Sequence, residues 1–189
     1  MTETEVEIKQ VAAYSDYIAN DVINERLEAN MKELLPIGYT DDERAYAEKF
    51  AKVITDLDRE NVKKLAKKLA GKDAQNLANE PIWDFLCPSV SSRGSTDVGD
   101  VSWVCPTGWF RATTLAVGTP GHAWQVVAQG KSPIAHKGML FAAKVLAATA
   151  YDFLTSPELV AAAHENHTVG LDGETYPNAL PKDAKPEIW

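Results

Sequence analysis

Cysteine is nearly missing from this chain of 189 residues, which holds only Cys87 and Cys105. Two thiols cannot build the disulfide frame of a small secreted domain. The opening residues MTETEVEIKQV, charged and alternating, match neither a secretory leader nor a transit peptide. The expectation is a reducing, cytoplasmic setting with both thiols as small buried side chains. Positive charge is scarce too. Nineteen Lys and Arg stand against 27 Asp and Glu, for a net charge of −8. Nucleic acid is thereby excluded as the main partner, because phosphate neutralisation needs clustered cations. The one basic cluster, Lys63-Lys64 with Lys67-Lys68, reads as a solvated helix face. No uninterrupted apolar run reaches the roughly 18 residues of a membrane span. Met139 to Leu154 comes nearest and is broken by Lys144 and Asp152. Dinucleotide and phosphate glycine loops are missing, and so is a nucleophile elbow. His164 and His167 stand three residues apart, not at the four-residue spacing of a zinc-binding helix, and read as a surface helix end. There is no internal repeat.

What is present divides at about Pro81. Thr2 to Val11 alternate, with Val6 and Ile8 on one side and Glu5, Glu7 and Lys9 on the other, the pattern of a half-buried strand. Such a strand needs neighbours for its backbone. Asn20-Asp21 caps a helix from Val22 to Leu34, and Pro36-Ile37-Gly38 breaks it. Thr40 and Glu43 form a capping box for a helix to about Leu57, and Asp58 opens another that ends near Gly71. Beyond Pro81, Trp83, Phe85, Leu86 and Val90 suggest short buried strands. Val98 to Val104 and Thr113 to Val117 are the clearest strand candidates. Ala135 to Thr155 reads as a long helix, apolar nearly all round and so expected to be buried on most of its surface. Pro157 starts a shorter helix to about His164, and the rest is an extended tail.

The chemistry-bearing residues concentrate between Gly94 and Met139. Gly94, Ser95 and Thr96 offer backbone N–H groups and two hydroxyls at close range, which suits a carboxylate ligand. Asp97 either holds that turn in shape or is an ordinary turn aspartate. His122 sits among turn formers in Gly118-Thr119-Pro120-Gly121-His122, where an imidazole can reach a cleft as a metal ligand or simply bond within the loop. His136, at the start of the apolar helix, either packs there or reaches the same cleft.

The words STDVGDVSW, GTPGHAWQVVAQGK and AHKGMLFAAK, with TETEVEIK and IANDVINERLEANM before them, cover most of the chain. They resemble the zinc-dependent aminoacylase and carboxypeptidase family of metallopeptidases, amidohydrolases with a catalytic domain and an inserted lid. The resemblance implies an α/β fold: the C-terminal part of the catalytic domain, helices on a mixed sheet (residues 36–189), preceded by a remnant of the lid (residues 1–35). It implies cleavage of an amide, p-aminobenzoyl-glutamate or a related acyl-amino acid or dipeptide, by water on a pair of zinc or manganese ions. His122 matches the family's last metal ligand. Gly94, Ser95 and Thr96 match the turn that contacts the substrate carboxylate, with Asp97 and His136 in support. The family's His-x-Asp motif and catalytic Glu have no match here. The chain is therefore expected to be catalytically incomplete alone, with no tight metal site, and to work with a missing N-terminal half or a homologous subunit. Self-association is a further expectation, and neither nucleic acid nor a membrane is an expected partner. The alternative is a non-enzymatic truncated product acting as a binding or interaction module, which would expose apolar surface.

Overall fold

A computed structural model describes residues 2–84, 96–182 and 184–185. Helices make up the regular secondary structure of these residues, and no strand or sheet is found among them. The order is α1 (Asp21–Leu34), α2 (Asp41–Ala51), α3 (Asp56–Ala70), a 3-10 turn (Gly71–Asp73), α4 (Ala74–Asn79), α5 (Val98–Val104), α6 (Trp124–Gln129), α7 (Pro133–Thr155) and α8 (Pro157–Leu171). The expected α/β fold with helices on a mixed sheet is thus corrected to an all-helical one.

Three expected strands fail for physical reasons, while the stretch with Phe85, Leu86 and Val90 lies outside the described residues. Val6 and Ile8 are 83% and 91% exposed, and their segment finds no ladder. Val98 to Val104 folds as α5, because its buried stripe is Gly99 and Ser102 at helical spacing while Val98, Val101 and Val104 face out. Thr113 to Val117 is extended in part, but side chains and the isolated Val117 N–H to Pro81 carbonyl bond hold it instead of a strand partner.

Local capping reads as expected. Asn20 Oδ1 accepts from Ile23 N at 3.1 Å at the head of α1. Thr40 Oγ1 accepts from Glu43 N at 3.3 Å, and Glu43 Oε2 accepts from Thr40 N at 2.7 Å. Thr40→Ala is therefore expected to lower stability by about 1 kcal/mol, read as a shift in the urea midpoint. α2 stops at Ala51, short of the expected Leu57, because Thr55 and Asp58 form the next cap.

The chain divides into two compact units. The first joins Met1–Asn24, Ser91–Gly108 and Glu158–Trp189; the second joins Glu25–Val90 and Trp109–Pro157. In the second unit the core is Tyr39, Ala47, Phe50, Ile82, Ala116 and Ile134, with Ile37 and Tyr46 against it. Phe50 meets Tyr46 edge-on at 5.2 Å between ring centroids. α7 presents Ile134, Gly138, Phe141, Val145 and Thr149 to the interior. Gly138 is required where it lies, because a Cβ would run into the Thr113 carbonyl. In the same unit Asp152 binds Arg26 and Asn30, and Asn30 also donates to Thr149 at 3.0 Å. The Asn30 and Arg26 donors hold the Asp152 carboxyl below its ordinary range.

The expectation that α7 is buried on most of its surface is corrected: Met139, Leu140, Leu146, Tyr151 and Leu154 are exposed. By length and composition α7 is also sufficient to cross a membrane, with a mean hydropathy of 1.2 over its most apolar window.

Candidate functional site

The second unit builds the loop that carries His122 from one buried side chain. Gln129, fully buried on α6, accepts from Ala116 N at 2.8 Å through Oε1. Its Nε2 donates to Thr119 Oγ1 and to the Gln125 carbonyl, each at 3.0 Å. Thr119 Oγ1 donates in turn to the Ala116 carbonyl at 2.7 Å. The turn from Ala116 to Thr119 is thus clamped to the helix that follows it. Gly118, at φ +81, lets the chain reverse where a side chain would press on Ile54 and Val62.

His122 follows at φ +55, in the left-handed region that costs a non-glycine residue energy, and its side chain is exposed. Gln125, one turn on, is buried, and its Oε1 has no hydrogen-bond partner. His136 is exposed on the first turn of α7. An open groove of about 380 Å³ lies beside this loop, lined by Asp58, Asn61, Trp83, Thr113, Thr114 and Thr119 among others. Its lining ends at Pro120 and does not include His122.

The turn expected to bind a carboxylate belongs to the other unit. Gly94 and Ser95 lie outside the described residues. Thr96 is exposed, and its Oγ1 accepts from Val98 N at 3.3 Å and donates to Asp97 Oδ1 at 3.4 Å. Asp97 precedes α5 and its carboxylate makes no cap bond. Thr96 and Asp97 therefore fall in one unit and His122 and His136 in the other.

Three buried polar contacts of the first unit, at His167, Ser102 and Asn20, escaped sequence reasoning. His167, expected on a surface helix end, is buried, and its Nε2 lies 2.7 Å from the Ser102 carbonyl. A carbonyl only accepts, so Nε2 carries the proton. Ser102 Oγ accepts from Ile18 N at 2.9 Å and donates to the Gly99 carbonyl. The histidine thus reaches the serine's backbone and not its hydroxyl, which makes this a structural tie and not a nucleophile with its base. Asn20 donates to the Ala163 carbonyl at 2.8 Å. The signal was the buried stripe of small and polar residues, which a count of apolar positions passes over. Cys105, expected buried, is exposed; Cys87 lies outside the described residues.

A zinc or manganese site needs several donors converging on one point. Among the described residues no three His, Cys, Asp or Glu side chains are so placed. His122 is a single imidazole, one donor of the several that such a site requires.

No protein-family model matches the chain. It is similar to one of the subunits of p-aminobenzoyl-glutamate hydrolase from Escherichia coli (strain K12), with 32% identity over 195 aligned positions that take in 98% of the chain. The chain covers 40% of that relative's length. No solved structure matches it.

Proposed function

We propose that this chain contributes part of an amidohydrolase acting on p-aminobenzoyl-glutamate, or on a related acyl-amino acid or dipeptide, releasing p-aminobenzoate and glutamate in the first case. The observation that carries the reading is the similarity of 98% of the chain to one component of that hydrolase. In this reading Gly94, Ser95 and Thr96 grip the substrate carboxylate through N–H and hydroxyl donors. His122 offers one imidazole to a zinc or manganese ion whose other ligands, with the general base, come from residues beyond those of this site. Asp97 and His136 support the two segments. The exposure of Thr96, and of His122 on its clamped turn, favours these roles. The exposed thiol of Cys105 favours a reducing, cytoplasmic setting.

The second reading, an interaction module without catalysis, draws support from the apolar side chains exposed on α7. Titration with zinc followed by histidine-ring NMR, and assay of p-aminobenzoate release by the same sample, separate the two. Weak perturbation of the His122 ring, lost in His122→Ala, and no release by the chain alone are expected. An unmoved His122 ring overturns its assignment as a ligand, and release by the isolated chain overturns the claim that further residues are needed.

A further inference from the structure

One face of α3 lines the groove of about 380 Å³ in the second unit. Asp58, Asn61, Val62 and Leu65 lie there at helical spacing, in a stripe about 10 Å long. Trp83 and the chain on both sides of Ala116 supply the rest of the lining. These parts are fixed before any ligand arrives. Trp83 Nε1 donates to the Leu77 carbonyl at 2.9 Å, and Thr113 Oγ1 donates to the Trp83 carbonyl at 2.7 Å. Val117 N donates to the Pro81 carbonyl at 2.9 Å. A preformed, mostly apolar groove of this volume is of the size that takes a small organic molecule.

The charges decide which molecule. The lining holds one carboxylate, Asp58, and no Lys, Arg or His. An anionic group would stand there without a cation and beside a like charge. Asp58 Oδ2 accepts from Thr55 N at 3.2 Å and from Thr55 Oγ1 at 2.6 Å. Asp58 Oδ1 and the Asn61 amide make no hydrogen bond among the described residues. The first turns of α3 thus offer open acceptors beside an apolar lining that includes an indole. That is the complement of an uncharged aromatic ring bearing an amino group.

We propose that the groove seats the aromatic acyl half of the substrate. The ring lies against Val62, Leu65 and Trp83, and its 4-amino group donates to Asp58 Oδ1 and Asn61 Oδ1. The identity of the ligand rests on the amidohydrolase reading, whereas its chemical class, an uncharged aryl amine, follows from the lining. The carboxylates of the glutamate half lie outside the groove, since no cation lines it. Pro120, the last residue of the lining, stands two positions before His122, so a ring seated here lies beside the loop that carries the imidazole.

Zinc-free NMR titration of the full chain with 4-aminobenzamide, an uncharged stand-in for the acyl half, tests the proposal. The Trp83 indole signal and the Val62 and Leu65 methyl signals are expected to shift, with a Kd of about 1–10 mM for a fragment of this size. Benzamide, which lacks the amine, is expected to bind about tenfold more weakly. Asn61→Leu and Asp58→Asn are expected to bring 4-aminobenzamide down toward benzamide. Asp58→Asn keeps an oxygen for Thr55, so the start of α3 stays capped. Asn61→Trp, at an exposed position, is expected to fill the groove and abolish the shifts. Unmoved signals at all three residues overturn the proposal, as do equal affinities for the two amides or shifts that survive Asn61→Trp. None of these measurements involves a metal or turnover. A groove that binds while zinc leaves the His122 ring unmoved removes the amidohydrolase reading and supports the aryl-amine site. A zinc-sensitive His122 with an empty groove removes this proposal alone.

Discussion

Gly138→Ala is expected to destabilise the second unit by about 3 kcal/mol, a large part of the 5–15 kcal/mol that holds a typical domain together. Two effects of opposite sign compete. Alanine improves helix propensity over glycine by about 1 kcal/mol. Against that, its Cβ would overlap the carbonyl oxygen of Thr113, and Thr114 Cγ2 lies close behind. The obstacle cannot easily withdraw. The Thr113 carbonyl accepts from the Tyr39 hydroxyl at 2.8 Å, and Thr113 Oγ1 donates to the Trp83 carbonyl at 2.7 Å. Moving Thr113 away therefore sacrifices hydrogen bonds around a buried tyrosine. Gly130→Ala is the control. Gly130 is at φ −60 and a Cβ there meets nothing closer than 3.6 Å, so substitution should be neutral or stabilise by up to about 1 kcal/mol. Urea unfolding of the two variants measures the difference. A Gly138→Ala protein as stable as wild type would falsify the close approach of α7 to residue 113.

Lys137→Met is the second large effect, at about 2 kcal/mol near neutral pH, less than for a fully buried pair because the lysine side chain is a third exposed. The Lys137 ammonium lies 2.8 Å from Glu43 Oε2 and 2.8 Å from the Gly38 carbonyl. It also sits 5.9 Å from the centre of the Tyr39 ring. Methionine keeps the length of the side chain and removes the charge, which leaves the buried Glu43 carboxylate without its cation. Burial by itself would raise the Glu43 carboxyl. The Lys137 ammonium and the Thr40 N–H outweigh it and hold the group below its ordinary value of 4.5. A carboxyl depressed in the folded state stabilises fully above that ordinary value. Its contribution is lost as the pH falls through the lower folded value, because the unfolded chain takes up the proton first. In Lys137→Met burial remains and the cation is gone, so the folded state holds the proton more readily. The difference between wild type and variant is therefore expected to be largest near neutrality and to shrink below pH 4.5. A gap independent of pH, measured by urea unfolding at several pH values, counts against the pairing. The same neighbourhood raises the Tyr39 hydroxyl, through burial first and the Asp84 and Glu43 charges after it.

What the sequence reveals here is what is local. The caps at Asn20 and Thr40 and the break at Pro36 depend on contacts within a few residues, and they read correctly. The strands did not. Val98, Val101 and Val104 suggest a strand until one sees that Gly99 must lie against the Ser15 carbonyl and Ser102 beneath Ile18 N. Those contacts are with residues more than 80 positions away, and no window along the chain contains them. The same holds for His167, whose partner is a backbone carbonyl 65 residues distant. For the site, the motif around His122 marks a special loop, and the backbone there is left-handed. The buried Gln129 that fixes the loop was missed, since a glutamine at the end of the hexamer WQVVAQ carries no signal of burial.

The first unit is assembled from pieces of chain that are made far apart in time. Asn20 binds the Ala163 carbonyl across 143 residues, and Ser102 receives Ile18 from before it and His167 from after it. As the polypeptide leaves the ribosome, the second unit can close once Pro157 has emerged, whereas the first must wait for α8. Until then the first 24 residues and α5 have no α8 to close on, and long sequence separations of this kind slow folding. Synthesis order thus makes α8 the latch of the first unit, and a chain arrested before Glu158 would hold one finished unit and two idle segments of the other.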